Sequence, residues 1–453
     1  NRRRFLGNAT ASSMLLNLKL ASLAAGDTQG VGADRKTLVC INFPGGIDGY
    51  HLLVPRDEAR HAEYATSRSN LHLPVEGSLG AYRKAIVPLT EVFNGAGAFE
   101  GNRNLSFVAN VGSLIKPLTM EAYRAGRIGE DSPIGLASHA AQAEQWQTTI
   151  PQGTADLRGW LGRAADIMQS SFNRENSSMN IALKGHSLAQ TGEEARPLNY
   201  NSGVPLGLTG DQFTDADHFL AMKNLMHRRL MGLEHNDYVE RAFSEVSGGS
   251  LDLQIQMKEA VASFDESRLV ADFPIRSGVS RQLKDALILI ATREKQGLCR
   301  QTFFINADSW DTHGDLLEPF SKSIKRVAEA ISAFQQNLIG LGLQDSVIGF
   351  STSEFARTLR STGNGSDHAW GGPQFVFGGP IEGGKIFDPF PSLALDGDDD
   401  IGRGGRILPS RSCDEYFAKL LRWFGVSEDQ LDIVLPNYDN FRGRAPLNFI
   451  INS

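Results

Sequence analysis

Asp311 and His313 stand two residues apart, and Asp367 and His368 are adjacent. A carboxylate oxygen beside an imidazole nitrogen is a donor pairing that suits Zn²⁺ or Mn²⁺. Glu354 adds a further carboxylate. Three residues later Arg357 offers a guanidinium that can clamp an anionic oxygen. Asp48 closes the run Pro44-Gly45-Gly46-Ile47-Asp48. Its glycines permit a tight turn ahead of the carboxylate, but the spacing is not the dinucleotide fingerprint. A fourth cluster joins Ser138 and His139 to Gln142, Gln145 and Trp146. A hydroxyl beside an imidazole is the pairing of an activated nucleophile. Each of these residues also has a structural reading. Asp48 fits a Gly-Asp turn, Thr312 with Asp315 a helix cap, and Ser138 an N-cap. Glu354 reads equally as a helix-start carboxylate and Arg357 as a surface arginine.

Position in the fold is what separates the two readings. Short apolar, β-branched runs at 37–43, 105–111, 302–307, 346–351 and 374–377 predict buried strands. Ile324, Val327, Ile331, Phe334, Leu338 and Leu341 recur at helical spacing and predict a helix over 316–343, ended by Gly340 and Gly342. Strand, helix and strand make a βαβ unit, hence an α/β fold with a mainly parallel sheet sandwiched between helices. Ligands in such sheets bind beyond the carboxyl ends of the strands. Asp48, Asp311, His313, Glu354, Asp367 and His368 all fall there, which predicts a metal site along one sheet edge as against an inert polar rim. The stretch 155–300 reads differently, with helices over 215–246, 253–264 and 281–294 and loops at 169–179 and 190–212. It predicts a helical insertion within one domain covering 34–453.

Composition narrows the class. The 453 residues carry a net charge of −7, with 45 Lys+Arg against 52 Asp+Glu, which excludes a general nucleic-acid binder. No apolar run approaches the ~18 residues needed to span a bilayer, so an integral membrane bundle is excluded too. Three cysteines, Cys40, Cys299 and Cys413, are too few and too scattered for a disulfide framework. The charge is uneven. Residues 1–26 hold Arg2, Arg3, Arg4, Lys19 and no acid, which leaves −11 for the rest of the chain. A basic start followed by apolar and small residues predicts an export signal over 1–26, removed or kept as an anchor. The acidic run 396–400 predicts a solvated loop, since it lacks the EF-hand spacing of a calcium site.

In chain order the motifs resemble a bacterial family. They are the twin-arginine start Arg2-Arg3-x-Phe5-Leu6, then Gly45-Gly46-Ile47-Asp48-Gly49, then Ser138-His139-x-x-Gln142-x-x-x-Trp146. Gly159-Trp160-Leu161-Gly162-Arg163, Asp311-Thr312-His313, Ser353-Glu354-Phe355-Ala356-Arg357 and Asp367-His368-Ala369-Trp370-Gly371-Gly372 follow. The family is domain of unknown function 1501 (DUF1501), usually exported by the twin-arginine route to the periplasm or cell envelope. It is placed in the alkaline phosphatase-like superfamily, beside the sulfatases. The resemblance implies a large mainly parallel sheet between helices, with one or two divalent ions at the strand ends. By position it implies Asp48, Asp311, His313, His368 and Asp367 as ligands, and Ser138 as nucleophile ahead of Ser113.

Some residues depart from the pattern. Phe355 stands where the superfamily places a histidine, Ala356 where the family commonly has glycine, and His51 where asparagine is common. The missing imidazole argues against a two-metal site and leaves a single-metal or a degenerate one. No Cys-x-Pro-x-Arg segment occurs, which excludes a formylglycine nucleophile. The resulting expectation is an exported, metal-dependent hydrolase of phosphate or sulfate esters. Zn²⁺, Mn²⁺ or Ca²⁺ would serve it, Ser138 would attack, His139 or His313 would carry a proton, and Arg357 would steady developing charge. The alternative is a non-catalytic envelope scaffold with a degenerate metal site, partnered by a protein such as one of the DUF1800 family. A weaker third expectation is a transferase acting on envelope glycans.

Overall fold

The computed structural model describes residues 34–451, apart from 56, 74–103, 154–155, 175–176, 186, 201–221, 275–276, 308–309 and much of 223–255. The expected signal segment lies outside these residues, as does most of the helix expected over 215–246. Among the described residues, nine strands form one sheet: β1 (Lys36–Phe43), β2 (Leu105–Gly112), β3 (Asn180–Ala182), β4 (Leu198–Asn199), β5 (Arg300–Asn306), β6 (Val347–Ser353), β7 (Gly372–Phe377), β8 (Ile386–Phe387) and β9 (Arg411–Ser412). Their spatial order is β4-β3-β5-β1-β6-β7-β2-β8, with β9 beside β2. Every pairing is parallel except those of β7, which runs antiparallel to both β6 and β2.

The central strand shows why the apolar runs were readable. In β1, Val39, Ile41 and Phe43 enter one core, and Leu38 and Cys40 the other. A strand buried on both faces has no polar side, so it reads as a continuous hydrophobic run. The chain covers those faces with α1 (Gly49–Leu52), α2 (Glu58–Arg68), α3 (His139–Thr148), α4 (Trp160–Phe172), α5 (Gly278–Ala291), α6 (Leu317–Gly340) and α7 (Cys413–Phe424). Helices α5 and α6 pack on the first core through Leu283, Leu287, Ile324, Val327, Ile331 and Phe334. On the second, α4 and α7 pack through Trp160, Met168, Phe417 and Leu421, with the rings of Trp160 and Phe417 stacked 4.1 Å apart. A capping box of Ser412 and Glu415 starts α7, satisfying two backbone donors reciprocally. Among the described residues, no helix is long and apolar enough to cross a membrane.

Two differences from expectation matter for the site. The stretch 155–300 is not purely helical, because it supplies β3 and β4, which extend the sheet beyond β5. These strands are only three and two residues long, too short for periodicity to register. The second difference is the reversal of β7. Because β7 runs back along β6, the loop 354–371 leaves and re-enters the sheet at the same edge. That loop carries Glu354, Phe355, Arg357, Asp367 and His368, so topology keeps all five beside the ends of β1 and β5.

Candidate metal centre

Three segments bring four donors together. His139 is the first residue of α3, Asp311 and His313 follow β5, and His368 precedes β7. One ligand atom from each lies within 4.8 Å of all the others, an arrangement that could hold a metal ion. Asp311 Oδ1 is 3.0 Å from His313 Nε2, 3.5 Å from His368 Nε2 and 3.6 Å from His139 Nε2. The Nε2 atoms of His313 and His368 are 2.8 Å apart. Donors bound ~2.0–2.1 Å from a tetrahedral ion stand ~3.3 Å from one another, so the observed separations bracket the spacing that an ion imposes.

Two of the imidazoles are held from behind. His139 Nδ1 meets the Glu354 carboxylate, and His368 Nδ1 lies 2.7 Å from the Ala137 carbonyl. Facing a carboxylate and a carbonyl, both Nδ1 atoms carry a proton, and each ring in its neutral form presents the Nε2 lone pair to the cluster. His313 Nδ1 is 3.8 Å from Asp367 Oδ1. Lone pairs converging in this way repel unless a proton or a cation lies between them. Burial pulls the His368 pKa below the ordinary imidazole value despite the opposing pull of the Ala137 carbonyl, and Arg357 and the neighbouring imidazoles add to the lowering. Burial would raise that of Asp311, but the bond and charge of Arg357 outweigh it and hold the carboxyl low. Both shifts favour the metal-binding protonation states at neutral pH.

The loops reach this geometry through close backbone contacts. Gly45 and Gly46 have φ of +95° and +80°, and a Cβ on Gly45 would lie 2.7 Å from the Asp311 nitrogen. A side chain at either position would therefore displace the Asp311 loop or the Phe355 ring. Ala137 takes φ +70°, which costs a non-glycine residue roughly 1–2 kcal/mol. That turn points its carbonyl at His368 while starting the helix that carries His139. Phe355 lies beneath the imidazoles, stacked on His368 at 4.5 Å and 5.0 Å from His139.

The remaining sequence candidates take other places. Asp48 is fully buried and outside the cluster, with Arg68 at 2.5 Å and His51 at 3.4 Å. Burial alone would raise its pKa, but Arg68 and His51 drive it well below the carboxylate range. Arg357 is also fully buried. Its guanidinium donates to the carbonyls of Gly45, Gly46, Ser366 and Trp310 and, at 2.6 Å, to Asp311. These bonds make it a residue that positions loops and the Asp311 carboxylate. Ser138 caps α3, accepting from Ala141 N at 3.5 Å, and Ser113 Oγ lies 3.2 Å and 3.0 Å from the carbonyl oxygens of Gln142 and Gln145. Thr312 does not cap α6, whose N-cap is Leu316 without a side-chain bond. In the acidic run, the Asp400 carboxylate is buried and accepts from the backbone of Asp396, Gly402 and Arg406.

The sequence offers His139 as a proton carrier, and the geometry adds it to the candidate donors. Its only sequence signal was adjacency to a cap serine. Arg68 carried none, because its partner Asp48 lies twenty positions away. No curated protein matches the chain. The sequence model described as Protein of unknown function (DUF1501) matches residues 35–400, which include all four donors and most of the chain, and the protein belongs to that family.

Proposed function

We propose that the protein is an exported, metal-dependent hydrolase of phosphate or sulfate esters, working at a single divalent ion held by His139, Asp311, His313 and His368. One observation carries the proposal: three imidazoles and a carboxylate converge, with the outer nitrogens of His139 and His368 and the Asp311 carboxylate already hydrogen-bonded. Three nitrogens and one oxygen suit Zn²⁺ or Mn²⁺ and do not suit Ca²⁺, which takes 6–8 oxygens. The side chains of Asp311, His139 and His313 are 40–47% exposed, and an open site supports substrate access where a purely structural ion would be closed off.

The ion would supply Lewis acidity toward an ester oxygen and toward water. The chain's own residues do the rest. Glu354, the Ala137 carbonyl and Arg357 fix the donors in orientation. Water is the nucleophile in this proposal, because the hydroxyls of Ser138 and Ser113 are engaged in the cap and with the glutamines. Asp367, half-exposed beside His313, is placed to take the proton.

The test joins metal analysis of protein purified without chelator to a panel of aryl phosphates and sulfates. One ion per chain, with turnover, and loss of both in Asp311→Ala is the expected result. Absence of stoichiometric metal overturns the proposal. A second reading has its own observation in Phe355, which packs on His368 where a further imidazole ligand would belong to a two-metal enzyme. A stoichiometric ion without any turnover would favour that reading, a metal-holding envelope protein that binds a partner.

A further inference from the structure

Among the described residues, none accepts a hydrogen bond from the side chain of Arg406, beside the cluster. Arg406 Nε is buried without a partner, and its terminal nitrogen is 3.6 Å from Asp367 Oδ2. The other oxygen of the same carboxylate faces His313, so a single carboxylate separates this guanidinium from the four donors. The contrast with Arg357, bonded to four carbonyls and Asp311, is complete. The Arg406 side chain is 13% exposed, and its Nε is held out of water with no acceptor. A buried N–H without an acceptor is costly, and an arriving anion would relieve that cost.

The surrounding turn is built to present this residue. Gly402, Arg403, Gly404 and Gly405 all have positive φ, and Asp400 fixes both ends by accepting from Gly402 N and Arg406 N. The backbone of Leu359 and Arg360 then bonds to Gly405 and Gly404, and Thr358 N bonds to Asp367. The result is a lip carrying Arg406 with exposed Arg403 and Arg360; Asp367 faces Arg406, and the Asp400 carboxylate is taken up by the backbone of the turn. Arginine forks match tetrahedral oxyanions, and a lip of three exceeds what one ester group needs.

We infer that Arg406 receives an anionic group of the ligand, and that the lip selects esters bearing a second anionic group close to the first. This rests on the proposed hydrolase for the word ester but not for anion binding itself. The probes are inorganic phosphate and pyrophosphate, titrated calorimetrically into metal-analysed protein, both wild type and variant. The wild type should bind pyrophosphate more tightly than phosphate. Arg406→Gln should weaken pyrophosphate binding by about tenfold or more, with metal content and melting temperature unchanged, and Arg406→Lys should recover part of it. Equal pyrophosphate affinity in wild type and Arg406→Gln at equal metal content overturns the inference. If Arg406→Gln fails to fold, the double variant Arg403→Gln, Arg360→Gln decides. Its surface positions should leave folding intact, weakened binding supports the lip, and unchanged binding overturns it. The aryl-ester panel separates the two claims. Binding that depends on Arg406 without turnover keeps the lip and sinks the hydrolase; turnover without that dependence does the reverse.

Discussion

Two aspartates that follow central strands each meet an arginine and a histidine, yet the two groups end in opposite states. Asp48 has Arg68 at 2.5 Å and His51 at 3.4 Å, with neither the Asp48 nor the Arg68 side chain exposed. Asp311 has Arg357 at 2.6 Å and His313 at 3.0 Å, but its side chain is 40% exposed and two more imidazoles face it. In the first group α2 delivers Arg68 from twenty residues away, and the same guanidinium donates to the Thr358 carbonyl. The charge is matched and sealed. In the second, the arginine is anchored on carbonyls and the imidazole lone pairs remain directed at a shared space. Residue type is common to both groups; access and lone pairs left over decide which of them can bind anything.

The sharpest way to break this comparison is to truncate each aspartate. Asp48→Ala leaves Arg68 buried without its counter-charge, which should cost about 3–5 kcal/mol in urea unfolding. Asp311→Ala should cost far less stability, since Arg357 keeps its carbonyl partners, yet it should abolish metal retention. If Asp48→Ala lost the ion at unchanged stability, the two roles would be the reverse of those assigned. The pH dependence has a definite sign. The folded pKa of Asp48 is depressed, so the contribution of the pair is present above the ordinary carboxylate range and lost as pH falls below it. Asp48→Asn should remove that acid-side slope.

Asp414 sharpens the role of the arginine by lacking one at contact. It is fully buried at the start of α7, and burial raises its pKa to about 7, against the more distant pull of Arg163. Asp48 is equally buried and shifts the other way, so its contacting partners, Arg68 first and then His51, make the difference. For Asp414 the stabilising form is the neutral acid, present in full below the ordinary carboxylate value and lost as pH rises through about 7. Asp414→Asn should therefore gain up to about 4 kcal/mol at pH 8 relative to wild type, and nothing near pH 4. A wild-type stability curve that is flat across that interval would show that burial does not raise this carboxyl.

Legibility followed the physics of each element. The strands β1, β2, β5, β6 and β7 were readable because burial on both faces demands apolar residues throughout, and α6 because it shows one apolar stripe over six turns. Asp311, His313 and His368 were readable as donors because strand ends are where open α/β sheets bind. The fate of Asp48 was not, because a partner on another helix leaves no trace in local spacing. The antiparallel turn of β7 was equally hidden, and so was the unpartnered Nε of Arg406, which depends on what fails to reach it. Short β3 and β4 left the 155–300 stretch looking helical.

The outer hold on the donors gives a milder probe. Glu354→Gln keeps the shape around His139 but replaces a carboxylate acceptor with an amide that can turn its NH₂ toward Nδ1. Metal affinity should fall by about 10–100-fold with little change in the melting temperature of the metal-free protein. A loss of stability as large as that of Asp48→Ala would mean that Glu354 belongs with the sealed network and not with the open one.

The smallest effect tests the boundary between cap and nucleophile. Ser138 Oγ accepts from Ala141 N at 3.5 Å, a long bond, so Ser138→Ala should cost at most about 1 kcal/mol, toward the low end for an N-cap. The helix it starts carries His139, but Glu354 and the tilted contact with the Phe355 ring hold that imidazole independently. Metal content should therefore match wild type. Turnover of an aryl ester should persist too, because water attacks in the proposed chemistry. Retained metal with abolished turnover would move Ser138 from the cap into the reaction, and the open group would then contain a hydroxyl as well as an ion.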